Sequence, residues 1–574
     1  MLPHSCNPDR TCFIDVAVRR LGTPRGTTPL ARRYPGSGGS ARPSVLTRGR
    51  EFVTFRRMVT QMLAGPPLSA ADCESALRER IAHRETHFLD RMQRAVYENP
   101  RSPYRPLLRD AGITLDDVLQ SLHGHGVDAT LGLLRDAGIY LTFEEYKGRQ
   151  ALTRGGRSYA LDADDLLADP DTPVVHFRTG GSTGPAVRVP YHPGFLRESA
   201  VNVGTLFYRS VPTGAVGALW YPLQSSLISL LMRLMLGAPP AAWFTPLREP
   251  MRDSWPVRLL LRTVVRQARR RGIALPAPVH VPAHEALTIA AWIVGQRRHA
   301  PACYVVTTPS GAVRICDAAR RGGLDISGTR FFVDSEPLTD AKRAEIVAAG
   351  GLPFPDYCAD DTGSLALPCE SPAVADDMHV CLDRVAIVPR RRLHPGTDTA
   401  VDAFLVTTLL PTSPRFLLNV ELDDYGYLDQ RACGCGLAQL GLTQHVSHIR
   451  SFAKLTAEGA TVPWTELVWV VERGLPQRFG GASTHYQIVE EDAGHRTRLT
   501  LVVSPKVGPL DDGEVIREFF RAVGEGDHRL RHYAQLWEKS SALRVVRAEP
   551  TLTARGKLMP VRVLRGGRAA SPLS

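Results

Sequence analysis

The first third of the chain alternates apolar and polar positions at helical spacing. A long amphipathic helix is predicted over 70–98, and its apolar stripe consists of Leu77, Ile81, Phe88, Met92 and Val96. The stripe has one gap, at Arg84 and Glu85. Similar stretches predict shorter helices over 104–110, 115–122 and 128–136.

The middle of the chain consists of short apolar runs that alternate with amphipathic segments. Strands are predicted over 216–221, 302–307 and 328–334, and helices over 194–206, 226–236, 310–321 and 339–349. This alternation is typical of an α/β sheet with helices on its faces. Past Val385 the pattern becomes strands separated by Pro/Gly turns, which indicates a β-rich subdomain.

The stretch 451–574 is predicted to form a separate small α+β unit. Its strands are expected over 467–471, 485–489 and 499–503, and its helix over 512–523.

The net charge of +12 is concentrated at the N-terminus. Residues 1–57 hold eleven arginines and three acidic residues, so the rest of the chain carries only about +4, too little for a nucleic-acid footprint. This segment has no sustained periodicity and is predicted to be disordered. Whether Met58 is the true start is left open.

Membrane and secretion signals are not found in the sequence. It contains no run of 18 or more apolar residues and no signal-peptide pattern. Its ten cysteines therefore favour reduced thiols or a metal site over disulfides. A cytoplasmic protein is expected, with neither nucleic acid nor a membrane as partner.

A glycine-rich loop follows the short apolar run 173–177. It reads Arg178-Thr-Gly-Gly-Ser-Thr-Gly-Pro-Ala-Val-Arg-Val189, and it combines Thr179, Gly180, Gly181, Ser182, Thr183 and Gly184. Glycines let backbone N–H groups turn toward an anion, and hydroxyls add donors. A phosphate-binding loop is predicted, although it matches neither the Walker pattern nor Gly-x-Gly-x-x-Gly. A flexible turn between two strands is the alternative.

Further motifs follow this loop in order. They are Ser335-Glu336-Pro337-Leu338, Tyr357-Cys-Ala-Asp360-Asp361, Asp424-Tyr-Gly-Tyr-Leu-Asp429, the stretch from Arg450 to Val462, and Thr553-Ala-Arg-Gly-Lys557. In order and spacing they resemble the motifs of the adenylate-forming superfamily: acyl-CoA synthetases, luciferases and the adenylation domains of peptide synthetases. The phenylacetate–CoA ligase branch is the most similar. The resemblance covers roughly 95–565.

The resemblance implies an α/β adenylate-forming fold. Residues 58–447 would form a large N-terminal domain of α/β sheets with the β-rich subdomain, and 448–574 a small mobile α+β domain with the catalytic lysine. ATP would bind between them. Its phosphates would contact the loop residues 179–184 and Arg188, and its adenosine the residues Ser335, Glu336, Pro337, Tyr357, Asp424 and Arg450.

Three acidic residues have separate implied roles. Asp361 stands where the family has its magnesium-binding Glu, and a carboxylate beside a triphosphate is a common ligand of Mg²⁺. Asp360 replaces a Thr and adds a second acid there, which is unfavourable unless a metal or an arginine offsets it. Asp424 would accept hydrogen bonds from both ribose hydroxyls, and Arg450 would reach the same ribose.

Lys557 is the predicted catalytic residue. An ammonium between the substrate carboxylate and the α-phosphate stabilises the charge that develops during in-line attack. Only six of the 70 basic residues are lysines, so chance is a weaker explanation for a lysine at this position.

A structural zinc site is predicted from Cys369, His379, Cys433 and Cys435. Cys-x-Cys in a tight turn puts two thiolates on one side of an ion, and a distant Cys and His complete a tetrahedral set. The phenylacetate–CoA ligase branch carries a similar set. Cys358 and Cys381 are left open as substitutes, and without the resemblance buried thiols would be favoured.

The chain also departs from the family pattern. The hinge stretch carries Phe452-Ala453 where relatives have acidic residues, and Asp423 replaces a Gly in the fourth motif. The loop ends at Arg188 where relatives carry Lys. An unusual acceptor is therefore expected.

The predicted activity is ATP-dependent conversion of a carboxylic acid, aryl or unsaturated, to an acyl-adenylate with release of pyrophosphate. Transfer to coenzyme A would follow. An amine, a carrier protein or another nitrogen nucleophile is the alternative acceptor, and a nucleotide-binding pseudo-enzyme is the alternative of another class. A homodimer is left open. The expected acid pocket comprises Trp220, Tyr221, Gln224 and Ser225.

Overall fold

The computed structural model describes residues 45–168, 172, 174–178, 188–247, 251–393, 400–452, 454–457, 460–492, 497–526, 543–553 and 556–564. Its α-helices are Val45–Met62, Ala70–Ala82, Arg84–Met92, Tyr104–Ala111, Leu115–Asp136, Phe143–Tyr146, Pro193–Ser210, Leu223–Met235, Met251–Arg269, Leu287–Gln296, Pro309–Arg321, Asp340–Ala348, Gly436–Gln439, Trp464–Trp469, Leu475–Phe479 and Asp512–Gly526. π-Helical turns cover Gln93–Tyr97 and Val470–Gly474.

The N-terminal helices differ from the predictions in two places. The expected helix over 70–98 is interrupted at His83, next to the gap in its apolar stripe. A helix at Val45–Met62 replaces part of the predicted disorder, because Phe55, Met58 and Val59 form an apolar face that is at most 1% exposed.

A parallel sheet forms the centre of the large part of the chain. Two hairpins precede it: β1 (Leu152–Arg154) with β2 (Arg157–Tyr159), and β3 (Val175–Arg178) with β4 (Arg188–Tyr191). The sheet has the order β10-β9-β8-β5-β6-β7. Its strands are β5 (Val216–Trp220), β6 (Ala242–Thr245), β7 (Val279–His280), β8 (Cys303–Thr307), β9 (Arg330–Val333) and β10 (Leu352–Pro355). The predicted strand–helix alternation is confirmed.

An antiparallel sheet of seven strands follows, in the order β11-β12-β13-β17-β16-β15-β14. Its strands are β11 (Tyr357–Ala359), β12 (Gly363–Pro368), β13 (Met378–Val380), β14 (Val385–Leu393), β15 (Ala400–Thr408), β16 (Val420–Gln430) and β17 (Gln444–Ser451). The predicted β-rich subdomain past Val385 is part of this sheet. The expected combination of α/β and β-rich layers is therefore confirmed.

The C-terminal region contains its own sheet and core. After the hairpin β18 (Lys454–Ala457) and β19 (Ala460–Pro463), four strands pair in the order β22-β21-β20-β23. They are β20 (Tyr486–Asp492), β21 (Thr497–Val503), β22 (Leu543–Arg547) and β23 (Val561–Leu564). The strand predicted over 467–471 is wrong, since helical turns occupy this segment.

No helix among the described residues combines the length and the apolar character that a membrane crossing requires.

Candidate active site and metal cluster

The carboxyl edge of the parallel sheet contains the point where the strand order reverses, between β5 and β8. Ligands of open α/β sheets bind outside the strand ends at such a point. The Tyr221 hydroxyl, directly after β5, donates to the carbonyl of Thr307 at the end of β8 (2.6 Å). This hydrogen bond joins the two strand ends beneath the crevice.

The loop after β9 contributes the second predicted motif. Ser335 has φ of 72°, a left-handed conformation that is unusual for a residue with a side chain. Its neighbour Glu336 is buried and accepts from the Ser310 hydroxyl (2.5 Å) and from the backbone N–H of Leu558 (2.6 Å). Glu336 therefore attaches the C-terminal region to the parallel sheet, while Ser335 and Pro337 remain exposed.

Tyr357 and Asp424, the two residues predicted to contact the base and the ribose, contact each other. The Tyr357 hydroxyl donates to Asp424 Oδ2 (2.9 Å) across strands β11 and β16. Burial raises the pKa of Asp424 to about 6, while Tyr357 and the ammonium of Lys557 oppose this rise. The ionised carboxylate would be an acceptor for ribose hydroxyls.

Lys557 follows a tight C-terminal turn that lies against the crevice. Thr553 and Lys557 close this turn through a backbone hydrogen bond (2.8 Å). Gly556 has φ of 73°, and a Cβ on it would lie 2.9 Å from the Pro222 ring, so the approach requires glycine. The charge of Lys557 acts on both Asp334 and Asp424. The lysine is therefore positioned beside the predicted nucleotide site.

Asp361 has a different environment from the one predicted for a magnesium ligand. Its Oδ1 is 2.6 Å from Arg415 Nη1, and its Oδ2 accepts from the Tyr146 hydroxyl (2.5 Å). Both side chains of the ion pair are nearly inaccessible, at 3% and 6% exposure. Because protein donors contact both oxygens, this carboxylate as it stands does not fit a metal ligand. The neighbouring Asp360 is exposed.

Arg450 and Asp424 lie on different faces of the antiparallel sheet. It forms an ion pair with Asp376 (3.1 Å), and it is opposite Tyr425 in the β16–β17 pairing, whereas Asp424 is opposite Ser451. Adjacent residues of a strand point to opposite faces, so the two side chains are on different sides of the sheet.

The predicted phosphate loop is outside the described residues. This applies to Thr179, Gly180, Gly181, Ser182, Thr183 and Gly184, and to the side chain of Arg188. The flanking strands β3 and β4 pair antiparallel, with Arg178 opposite Arg188.

The residues proposed for the acid pocket have separate places. Trp220 is in the core and donates its indole N–H to the carbonyl of Val281 (3.0 Å). Tyr221 is at the sheet edge, Ser225 is half-buried, and the side chain of Gln224 is outside the described part.

A nearby cavity of about 140 Å³ extends beside the ends of β9 and β10. The residues that line this cavity include Tyr191, Phe195, Arg233, Phe332, Asp334 and Asp356. Arg233 could not be recognised from the sequence, because the helix that contains it is largely apolar. Asp356 could have been recognised as a candidate, because it directly precedes the Tyr357 motif.

The candidate metal ligands converge around the adjacent strands β13 and β17, in the middle of the antiparallel sheet. Ligand atoms of Cys369, His379, Cys433 and His445 all lie within 4.8 Å of one another. The predicted Cys435 belongs to the same cluster, with its Sγ 3.1 Å from His379 Nε2. His445 is a further candidate ligand that the sequence did not indicate, because the family pattern already supplies four candidate ligands without it.

Both histidine rings are oriented for metal binding. His379 Nδ1 is 2.7 Å from the carbonyl of Leu442, so that this nitrogen carries the proton and Nε2 faces the thiols. His445 Nδ1 contacts Asp377 (2.7 Å), and its buried Nε2 has no partner among the described residues. Burial, with His445 beside it, lowers the pKa of His379 to about 4, which keeps this ring neutral.

No protein-family model matches the chain, and no curated protein matches it. Among solved structures, McyG A-PCP complexed with phenylalanyl-adenylate is 13% identical with a TM-score of 0.40, covering 72% of this chain and 68% of that one. The amide bond synthetase Mcba from Marinactinospora thermotolerans is 12% identical with a TM-score of 0.36, covering 88% and 97%.

An AMP-forming acyl-CoA synthetase/AMP-acid ligase II-like protein from Dyadobacter fermentans is 14% identical with a TM-score of 0.27, covering 67% of this chain and 87% of that one.

Proposed function

We propose that the protein is an adenylate-forming enzyme that converts a carboxylic acid and ATP to an acyl-adenylate and pyrophosphate. The observation that carries this proposal is the hydrogen bond from the Leu558 N–H to Glu336 (2.6 Å), which ties the segment containing Lys557 to the loop after β9. The charge of Lys557 opposes the rise in the pKa of both Asp334 and Asp424. A cation there would stabilise the charge that develops between a carboxylate and the α-phosphate.

The adenosine of ATP would be held by this chain's own polar groups. Asp424 would accept from the ribose hydroxyls, and Tyr357, whose hydroxyl already orients that carboxylate, would lie against the base. The loop 179–184 and Arg188 would bind the phosphates. Magnesium would arrive as part of the MgATP substrate, since Asp361 is engaged by Arg415 and Tyr146.

The acceptor in the second half-reaction is proposed to be coenzyme A. An amine or a carrier protein is the alternative. The proposal divides the chain into an adenylation domain at 58–447 and a small domain at 448–574 that rotates between half-reactions. The enzyme is proposed to act in the cytoplasm.

A nucleotide-binding pseudo-enzyme is the second candidate, and one observation favours it. The acid that stands in the position of the family's magnesium ligand is neutralised by a buried arginine instead. A protein of this kind would bind ATP without releasing pyrophosphate.

ATP–pyrophosphate exchange with a panel of aryl and aliphatic acids distinguishes the two candidates. Lys557→Ala is expected to slow exchange by a factor on the order of 10² or more. Lys506→Ala is the matched control, because this lysine is exposed and has no assigned role in binding ATP, so its loss should leave exchange unchanged. Exchange near the wild-type rate in Lys557→Ala would show that the lysine is not catalytic.

The cysteine–histidine cluster is proposed to hold a structural zinc ion. Thiolate sulfur and neutral imidazole nitrogen are the donors that zinc prefers, and four of the five candidate side chains would complete a tetrahedral site. Despite burial, which opposes ionisation, backbone N–H groups at the start of the helix Gly436–Gln439 lower the pKa of Cys435.

Metal analysis of the purified protein is expected to give about one zinc per chain. Cys435→Ser and His445→Ala identify which of these two residues is the fourth ligand, and Cys303→Ser is a control at a buried cysteine outside the cluster. Well under one zinc per wild-type chain would exclude the site.

A further inference from the structure

The cavity beside β9 and β10 contains a buried cation without a hydrogen-bonding partner. Arg233 is 4% exposed, and within the described part of the chain its Nη1 has no hydrogen-bond acceptor. An arginine has five N–H donors and cannot relieve its burial by deprotonation in the ordinary pH range. A buried donor left without an acceptor is energetically costly, so a ligand that supplies the acceptor would be favoured.

Three aromatic rings surround this guanidinium. Its Cζ lies 4.8 Å from the ring centroid of Phe207, 5.4 Å from that of Tyr304 and 5.0 Å from that of Phe332. The faces of the rings attract the positive charge, but an aromatic face is a much weaker hydrogen-bond acceptor than an oxygen atom. The rings therefore hold Arg233 in place without supplying the acceptor that Nη1 lacks among the described residues.

Asp356 supplies a complementary atom at the same cavity. Its Oδ2 accepts from the Ser364 hydroxyl (3.0 Å), while its Oδ1 is buried without a partner among the residues described. The cavity thus combines an unused donor on Arg233 with an unused acceptor on Asp356. A hydroxyl group is the smallest group that accepts from the one and donates to the other.

The remaining lining restricts the size and shape of the occupant. Tyr191, Phe195 and Phe332 line the cavity, and its volume of about 140 Å³ is well below the roughly 300–1,000 Å³ of pockets for drug-sized ligands. Asp334 also lines the cavity and directly follows β9, so the cavity extends from the carboxyl edge of the parallel sheet to Arg233. With the carboxylate of an acid at that edge, its other end would lie at Arg233.

We propose that the acid substrate is a small monocyclic hydroxy acid of the hydroxybenzoate type, whose hydroxyl is bound by Arg233 and Asp356. This inference rests on the proposed function, because it assigns the substrate class of the same site. A second carboxylate in place of the hydroxyl would face Asp334 and Asp356 and would be disfavoured.

Calorimetric titration without nucleotide tests the proposal apart from catalysis. The three hydroxybenzoate isomers are compared with benzoate and with terephthalate. At least one isomer is expected to bind about tenfold more tightly than benzoate, as one well-made hydrogen bond to a charged group allows. Equal binding of benzoate and all three isomers, tighter binding of terephthalate, or no binding by any of these acids would overturn it.

Variants of the two polar residues test their roles. Arg233→Met and Asp356→Leu should abolish the preference for the hydroxyl and leave benzoate affinity nearly unchanged, whereas Arg262→Met on an exposed helix face should keep it. Arg233→Lys retains the charge and should keep part of the preference, which covers the case in which Arg233→Met does not fold. The wild-type preference in either Arg233 variant would overturn the assignment.

Pyrophosphate exchange with the preferred isomer separates this inference from the proposed function. Selective binding without exchange would refute adenylation while leaving the pocket assignment intact. Exchange that is supported equally by benzoate and by the hydroxybenzoates would refute the pocket assignment alone.

Discussion

Arg415 and Arg233 are both buried arginines near the candidate site, but their surroundings are opposite. Arg415 contacts Asp361 at 2.6 Å, whereas Arg233 is held against three aromatic rings and its Nη1 has no described hydrogen-bond partner. Burial alone would lower the pKa of either group. Asp361 and Tyr146 nevertheless raise the pKa of Arg415, while burial lowers that of Arg233. The paired arginine stabilises the fold, and the unpaired one is available to a ligand.

Replacing Arg415, the paired arginine, should give the largest change in the free energy of unfolding. Arg415→Met leaves the Asp361 carboxylate buried beside Tyr146 without its cation, so the free energy of unfolding should fall by about 3–5 kcal/mol. Urea denaturation measures this change. A loss below about 1 kcal/mol would show that the ion pair contributes little to stability.

The carboxyl nearest to the unpaired arginine should make stability depend on pH. Burial and the neighbouring Asp334 raise the pKa of Asp356 from 3.8 to about 7, although Ser364, Arg384 and Arg233 oppose the rise. The folded state therefore binds the extra proton between about pH 4 and 7, and this contribution to stability is lost as the pH rises through that window.

Asp356→Asn removes the carboxyl that takes up this proton. The unfolding free energy of the wild type minus that of Asp356→Asn should therefore decrease from pH 4 to pH 7. Urea titrations of the two proteins in parallel measure this difference. If the two proteins kept a constant difference across the window, Asp356 would not be protonated in the folded state.

Replacing the unpaired arginine should change stability much less than breaking the pair. Arg233→Met loses the cation–π contacts and the attraction of Asp356 and Asp334, but it also removes a buried charge whose Nη1 has no described hydrogen-bond acceptor, so the net change should stay within about 1 kcal/mol of zero. A loss as large as that of Arg415→Met, in the same urea experiment, would mean that Arg233 is structural.

An exposed ion pair should contribute least to the free energy of unfolding. Arg391 contacts Asp402 at 3.2 Å, and its side chain is 66% exposed. Arg391→Met should lower the unfolding free energy by about 0–1 kcal/mol, because water screens such pairs. A larger loss would argue against burial as the cause of the difference between Arg415 and Arg391.

The sequence predicted the alternating strands and helices well, because each is a local pattern of apolar residues. The helix Trp464–Trp469 and the turn after it were misread as a strand, since a short apolar run with β-branched residues has no decisive period. The helical disruption at Gly126, which has φ of 77°, falls between two helices that the sequence predicted as separate.

The motifs located several candidate residues, but not the contacts between them. Tyr357 and Asp424 were singled out separately, and their hydrogen bond appears only in the structure. The pairing of Asp361 with Arg415 depends on a contact across 54 residues, which no local pattern encodes. Arg233 was overlooked for a related reason: its helix is apolar on most sides, so the sequence does not show which face is enclosed.

The hydrogen bond between Leu558 and Glu336 should make any separation of the two regions depend on the solvent. Glu336 is buried and also lies 3.7 Å from Lys342, which is itself bound to Glu472 of the C-terminal region. Separation of the two regions would expose this set of charges and hydrate it. The opening step would therefore take up water, and osmolytes such as sucrose, which favour burial, should hold the protein in the closed arrangement that places Lys557 in the crevice.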